Sequence, residues 1–310
     1  MFVTAFGSHG EATILDKSQA RISVFDGGSG AFVRAFARNG RGPGELSAPG
    51  AMTWDPLGRL WVANSFNGRY TVFDSTGGFI KTVERIGHAV NRFSYPMVVT
   101  ATGTIVDHVA DYLGLRLIVQ DTSGVILDSL RIKQPSMDSL GNGPIRPGSA
   151  IRDVVWLRPH LLWSLARDGQ SLWLTRSDSL RLFQLSLAGD TIRVVRATHR
   201  VAEFTRAQRE AIRRANQEMG RAGTFTPILV QAIHALEDGR VIVQIGNTMS
   251  EPGREFELFD RRGNWLGTVH APFRVSHRSE LASRGDTLLV AALGELDVPL
   301  LMKAVLKPVR

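Results

Sequence analysis

Oxygen-bearing side chains stand near the ends of several predicted β-strands, where they could together hold a hard cation. Such positions are occupied by Asp16, Asn64, Asp107, Asp111, Asn247, Glu295 and Asp297. Carboxylate and amide oxygens are the ligands that Ca²⁺ prefers. One hypothesis is therefore a calcium-like site built from Asp16, Asn64, Asp111 and Asn247. The alternative is that these are ordinary loop residues that hydrogen-bond their own backbone.

His108 is the residue best placed for proton transfer, because Asp107 and Asp111 flank it and a carboxylate can orient an imidazole base. No nucleophile stands beside it at a fixed spacing, so a loop-exposed histidine without a catalytic partner is the favoured interpretation. The eight histidines show no zinc-binding spacing, and the chain has no cysteine. For a binding function, the residues expected to contact the ligand are Asn64, Arg69, His108 and Asp111.

Closely spaced glycines in Gly40-Arg-Gly-Pro-Gly-Glu45 invite comparison with phosphate-binding loops. Glu45 occupies the third glycine position, however, and no helix pattern follows that would direct backbone N–H groups at an anion. We interpret this segment as a linker between two structural units.

A repeated pattern of short β runs must position these residues. The clearest unit contains Gly58, Leu60-Trp-Val62, Thr71-Val-Phe-Asp74 and Gly77. A second copy begins at Gly10, and its glycine-to-aspartate spacing is the same, since 74 − 58 and 26 − 10 both equal 16. Weaker copies begin at Gly103, Gly169, Gly239 and Gly285. Six such units predict an all-β fold, a six-bladed β-propeller of four-stranded antiparallel blades.

The predicted propeller is a single domain over residues 1–310. Its blades are expected at about residues 2–36, 50–86, 96–132, 151–197, 228–270 and 273–308. A helical insertion between blades 4 and 5 is predicted at residues 205–219, because Thr205 and Gln208 form a capping box and Gly220 follows. The last blade holds only three β runs before Arg310. Two explanations stay open: a three-stranded blade, or a fourth strand supplied by an upstream N-terminal segment.

Several motifs resemble the NHL-type repeat of six-bladed propellers. They are Gly40-Arg-Gly-Pro-Gly-Glu-Leu46, Pro49, Asp55-Pro-Leu-Gly58, Leu60-Trp-Val-Ala-Asn64, Asn67-Gly-Arg69 and Val72-Phe-Asp74. The resemblance is specific over residues 21–83 and implies a six-bladed ring related to exported bacterial propellers. It suggests a periplasmic or extracellular full-length parent, although no signal peptide is visible in this chain. In the repeat, the arginine corresponding to Arg69 often braces a neighbouring blade, which is the structural alternative to ligand binding.

The net charge of +8 is concentrated between Arg131 and Arg221, where 16 Lys and Arg residues accompany 8 Asp and Glu residues. The rest of the chain is balanced, since 37 − 16 and 29 − 8 both leave 21. A solvated basic flank is the favoured interpretation, and RNA or other polyanion binding is a third hypothesis for the function. No stretch approaches the roughly 18 apolar residues of a membrane span.

Antiparallel strands sort the connecting loops onto two faces. Short turns such as Asp55–Gly58 and Glu237–Gly239 fall on one face, here called the tight-turn face. The longer links, at residues 38–50, 133–150, 205–219 and 246–254, fall on the other, the long-loop face. Because binding residues concentrate in long loops on rigid scaffolds, the leading hypothesis is a monomeric, non-catalytic module that presents the long-loop face to a protein, peptide or glycan. The alternative is a calcium-dependent hydrolase or lyase with its site at the channel mouth.

Overall fold

The chain folds into six antiparallel sheets, and the predicted six-bladed β-propeller is confirmed. The computed structural model describes residues 2–7, 9–86, 95–111, 114–133, 161–197, 206–207, 209–210, 213–214, 229–246, 253–276, 281–294 and 298–307. For Ala110, Asp111, Gly114, Lys133 and Pro299 it describes the backbone only.

The strands of blades 1 to 3 follow one another in sequence order within each sheet. They are β1 (Phe2–Phe6), β2 (Ala12–Asp16), β3 (Arg21–Phe25), β4 (Phe32–Phe36), β5 (Pro49–Trp54), β6 (Leu60–Asn64), β7 (Arg69–Phe73), β8 (Phe79–Glu84), β9 (Val98–Val99), β10 (Ile105–Asp111), β11 (Gly114–Gln120) and β12 (Ile126–Lys133). A 3₁₀ turn, Ser65–Asn67, joins β6 to β7 on the long-loop face.

Blades 4 and 5 have the same order, and blade 6 differs. Their strands are β13 (Leu161–Leu165), β14 (Ser171–Arg176), β15 (Arg181–Ser186), β16 (Thr191–Arg196), β17 (Val230–Ala235), β18 (Val241–Ile245), β19 (Glu255–Phe259), β20 (Trp265–His270), β21 (Arg274–Val275), β22 (Ala282–Arg284), β23 (Thr287–Leu293) and β24 (Pro299–Val305). In blade 6, β21 and β22 pair with one edge of β23 and together form the inner strand, while β24 pairs with the other edge. Within the described residues, blade 6 therefore has three strand positions.

Each complete blade bends at the same point of its third strand. A β-bulge shifts the register there, at Val24/Phe25, Val72/Phe73, Val119/Gln120, Gln184/Leu185 and Leu258/Phe259. In four of these blades an aspartate follows directly and its carboxylate accepts backbone N–H groups of the turn; Asp74, for example, accepts those of Thr76 and Gly78. This local chemistry explains why Phe-Asp and glycine recur at fixed spacing in the sequence.

Glycines of these turns lie against the outer strand of the preceding blade. An added Cβ at Gly77 would meet the ring of Phe36 at 2.5 Å, and one at Gly263 would meet Val195 Cγ2 at 2.3 Å. Both glycines have left-handed backbones, with φ of +95° and +82°. Glycine is favoured at these positions for two reasons. It adopts the left-handed backbone conformation without strain, and it leaves room for the outer strand of the preceding blade.

Basic side chains join successive blades at the same turns. Arg34 of β4 donates to the Ser75 carbonyl of blade 2, and Arg193 of β16 donates to the Arg261 carbonyl of blade 5. Lys303 of β24 donates in the same way to the Gly27 carbonyl of blade 1, which closes the ring. Each acceptor is the residue directly after a turn aspartate. We call these contacts the blade latches.

The predicted helical insertion falls mostly outside the described residues. Its described residues, 206, 207, 209, 210, 213 and 214, are helical. Over the described parts of the chain, no helix has the length and apolar character needed to cross a membrane.

We expect Gly263→Ala to lower the free energy of unfolding more than Gly30→Ala does. Both substitutions place alanine at a left-handed backbone position, at a cost of about 1–2 kcal/mol. Only at Gly263 does the new Cβ also collide with the neighbouring blade, which adds about 1–3 kcal/mol, whereas nothing lies within 4 Å of a Cβ at Gly30. Urea unfolding of both variants measures the difference, and equal losses would contradict the proposed packing role.

Candidate functional site

Asn64, predicted to contact a ligand or a cation, is fully buried and fastens the link between blades 1 and 2. Its Oδ1 accepts the backbone N–H of Ser47 at 2.7 Å. Its Nδ2 donates to the Glu45 carbonyl at 3.0 Å and to Thr71 Oγ1 at 3.1 Å. In this arrangement the side-chain amide holds the linker, so a direct ligand contact by Asn64 stays a prediction only.

Arg69 and Asn67 hold the same linker from the long-loop face. The Nη2 of Arg69 donates to the carbonyls of Arg41 and Gly42, both at 2.8 Å. Asn67 Nδ2 donates to the Gly40 carbonyl at 3.2 Å. These contacts are structural, as in the alternative to ligand binding for Arg69. The element that Arg69 holds, however, is the linker that leads into blade 2, and not a neighbouring blade.

The result is a fixed surface that we call the linker platform, made of residues 38–46 and the 3₁₀ turn 65–67. Glu45 stabilises the linker from within, because its carboxylate accepts the backbone N–H of Gly42 at 2.8 Å and pairs with Arg38. Phe66 projects from the platform with 61% of its surface exposed, and Arg41 is exposed in the linker itself. The platform thus presents an aromatic ring and a guanidinium group on a rigid backbone.

A second polar group lies buried between blades 2 and 3. Arg85, which follows β8, pairs with Asp107 of β10 at 2.6 Å, and their side chains are 0% and 2% exposed. Tyr70 of β7 donates its hydroxyl proton to the same carboxylate at 2.8 Å. Arg85 also donates to Tyr95 Oη at 3.0 Å and to the His108 carbonyl at 2.9 Å. Burial raises the pKa of both tyrosine hydroxyls, and the nearby Asp107 raises it further, so both stay protonated.

His108 is buried in β10, so its interpretation as a loop-exposed residue is wrong. Its ring contacts Tyr95 and Trp163, with centroids 5.4 Å and 5.3 Å away, and Nδ1 has no hydrogen-bond partner. Burial lowers its pKa to about 4, although Asp107 acts in the opposite direction. Asp107 does not orient the ring, since its Oδ1 accepts the backbone N–H of His108. The histidine is therefore neutral and poorly accessible near pH 7, unlike a catalytic base.

The four proposed calcium ligands are described to different extents. Asp16 Oδ1 accepts the Ser18 hydroxyl at 2.6 Å and the backbone N–H groups of Ser18 and Gln19. Only the backbone of Asp111 is described, and Asn247, Glu295 and Asp297 lie outside the described residues. Among the residues that are described, no group of three or more His, Asp or Glu side chains could hold a metal ion. The calcium site stays a prediction.

Sequence reasoning missed Arg85, Tyr70 and Tyr95. The available signal was weak: a single arginine, Arg85, between Glu84 and Ile86 at the end of a β run. The basic segment 131–221 lies partly outside the described residues, and polyanion binding there also stays a prediction.

Comparisons with known proteins support the fold and no more. A streptogramin B lyase is 13% identical, covers 99% of this chain and 83% of its own, and has a TM-score of 0.50. An inactive virginiamycin B lyase from Staphylococcus aureus with quinupristin is 13% identical, with coverages of 97% and 83% and a TM-score of 0.49. BamB from Moraxella catarrhalis is also 13% identical, with coverages of 95% and 72% and a TM-score of 0.41.

Neither family models nor curated proteins match the sequence. The NHL-repeat resemblance is therefore not confirmed. What is established is a six-bladed β-propeller with the streptogramin B lyase among its structural neighbours.

Replacing Arg85 by methionine should destabilise the protein by about 3–5 kcal/mol, because Asp107 would remain buried without its cation. The double variant Arg85→Met/Asp107→Leu removes both charges and should recover most of the loss. Urea unfolding of the two variants provides the measurement. A double variant as unstable as the single one would show that packing around Arg85, rather than charge compensation, dominates.

Stability should fall as the pH is lowered from 7 to 5, in part through His108. The unfolded histidine takes up a proton near pH 6.5, whereas the folded residue takes it up only near pH 4, so acid favours unfolding. Between pH 7 and 5 this contribution amounts to about 2 kcal/mol. The His108→Phe variant should lose about that much less stability than the parent over this range in urea titrations at each pH. His270→Phe, at an exposed histidine of β20, is the reference variant for the exchange of histidine for phenylalanine as such.

Proposed function

We propose that this propeller is a non-catalytic binding module whose long-loop face receives a protein, peptide or glycan partner. The observation that carries the proposal is the linker platform, which Asn64, Asn67 and Arg69 fix from below. A surface whose backbone is already ordered loses little conformational entropy when a partner binds. Asn64 and Arg69, which the sequence predicts to contact a ligand, would thus support binding by holding the platform in place.

The exposed chemistry of the platform favours a polypeptide partner. Aromatic residues and arginine are enriched among the residues that contribute most to binding energy at protein interfaces. Phe66 supplies the aromatic ring and Arg41 the guanidinium group. Pro43, also exposed, lies two residues after Arg41. An extended peptide could place an apolar side chain against Phe66 and an acidic or carbonyl group against Arg41.

The buried state of His108 supports the absence of catalysis. A general base needs a pKa near the working pH and must reach its substrate. His108 meets neither condition, and the Asp107 carboxylate beside it is already bound to Arg85 and Tyr70. The Arg85–Asp107 pair and the Tyr70 hydroxyl connect blade 2 to blade 3 inside the protein.

A peptide-display selection on the purified chain tests the proposal. Peptides selected on the parent protein should bind Phe66→Ser and Arg41→Ser about tenfold or more weakly, since each change removes a central contact. Fluorescence polarisation with the selected peptides measures the affinities. A glycan array probed with the same variants examines the carbohydrate alternative.

Leu57→Ser is the matched control, because Leu57 is 71% exposed but lies on the tight-turn face. Selected ligands should bind this variant as they bind the parent. Two outcomes would refute the proposal by placing the binding surface elsewhere. In one, the selected ligands bind only Leu57→Ser more weakly than the parent; in the other, they bind all three variants as tightly as the parent.

A further inference from the structure

A cavity of about 460 Å³ lies between blades 4 and 5 at the tight-turn face, opposite the linker platform. Its rim is formed by the turns that follow β13, β17 and β19. This volume is within the range of small-molecule sites in proteins, about 300–1,000 Å³. The prediction from loop lengths pointed to the other face, so this cavity is a separate candidate.

One wall of the cavity is a row of side chains across blade 4. Trp173 of β14 is directly opposite Gln184 of β15, and Gln184 is directly opposite Arg193 of β16. Directly opposed residues of antiparallel strands share one face of the sheet, and here that face looks toward blade 5. The row therefore changes from aromatic at β14, the second strand, to cationic at β16, the outer strand.

The base of the cavity is apolar and its inner edge is polar. Trp173, Ala235 and Leu236 are buried there and contribute the apolar surface. Ser171, two residues before Trp173, accepts a hydrogen bond from Gln184 Nε2 at 3.1 Å, which leaves the Ser171 hydroxyl proton free to be donated. A ligand could thus bury an apolar part and still form a hydrogen bond.

The two walls are held at a fixed distance. The blade latch from Arg193 to the Arg261 carbonyl crosses the outer end of the cavity. Gly263, in the same turn as Arg261, packs directly against Val195 of β16. Because these contacts belong to the blade packing itself, the cavity is formed before any ligand binds.

Positive charge predominates at the rim. Four arginines and three carboxylates line the cavity. One of the carboxylates, Asp238, is already paired with Arg240 at 2.7 Å. Arg261 and Arg262 are exposed, and Arg262 lies close enough to Asp260 of the same turn to interact with it electrostatically. Guanidinium forks match the geometry of a planar carboxylate.

We propose that this cavity binds a small organic carboxylate, with the carboxylate at Arg261 and Arg262 and the apolar part against Trp173, Ala235 and Leu236. The inference is independent of the proposed long-loop-face function, because no residue is shared between the two sites. It extends the protein from one binding surface to two on opposite faces.

Isothermal titration calorimetry with benzoate tests the proposal, and benzamide is the matched neutral ligand. Benzoate should bind at millimolar concentrations, and benzamide should bind at least about tenfold more weakly. Arg261→Gln/Arg262→Gln should weaken benzoate binding by about tenfold or more. Arg196→Gln removes an exposed arginine elsewhere on β16 and should leave the affinity unchanged.

Three results would overturn the proposal. The first is no benzoate binding, and the second is equal affinity of the parent for benzoate and benzamide. The third is inorganic phosphate binding as tightly as benzoate with the same loss in the double variant, which would indicate a general anion site. Because both substituted arginines are exposed, unfolding of the double variant is not expected, and circular dichroism verifies this.

Discussion

Each blade of this protein has two apolar faces, and neither can be buried within the blade. The whole structure depends on packing each sheet against the next. Buried clusters accordingly span blade boundaries, as between blades 4 and 5, where Trp173 and Leu182 pack with Val230 and Val243. The turn glycines allow close approach of the outer edges, and the blade latches repeat there with one geometry. Lys303 makes the last of these contacts, so the first and last blades close the ring with the chemistry used between interior blades.

The same packing explains why the polar group between blades 2 and 3 is internal. Arg85 and Asp107 come from different blades and are both removed from water, so each charge is tolerated only because the other lies beside it. Tyr70 donates a further hydrogen bond to Asp107, and Tyr95 accepts one from Arg85. His108 adjoins this group but is left neutral by burial. A histidine between two aspartates in sequence thus becomes part of a structural joint.

The two faces of the ring present different side chains. On the long-loop face, the linker platform displays an aromatic ring and an arginine on a backbone that side-chain hydrogen bonds hold in place. On the tight-turn face, the cavity lies where two rigid sheets diverge, and its lining comes from turns and strand edges. Loop lengths do not predict this cavity, because a cleft between blades forms without a long loop.

The fold of this protein follows from its amino-acid sequence. Turn aspartates and glycines at fixed spacing act through local backbone chemistry, and alternating apolar residues define the strand faces, so blade number and strand order follow from the chain alone. Only the tertiary structure decided what the candidate residues do. In the folded protein, Asn64 and Arg69 form hydrogen bonds with the linker 38–46. The cavity lined by Trp173, Gln184, Arg193 and Arg261 joins residues from three strands of blade 4 and one turn of blade 5. Their meeting depends on the distance and angle between sheets, which packing of the whole ring sets and no local sequence pattern encodes.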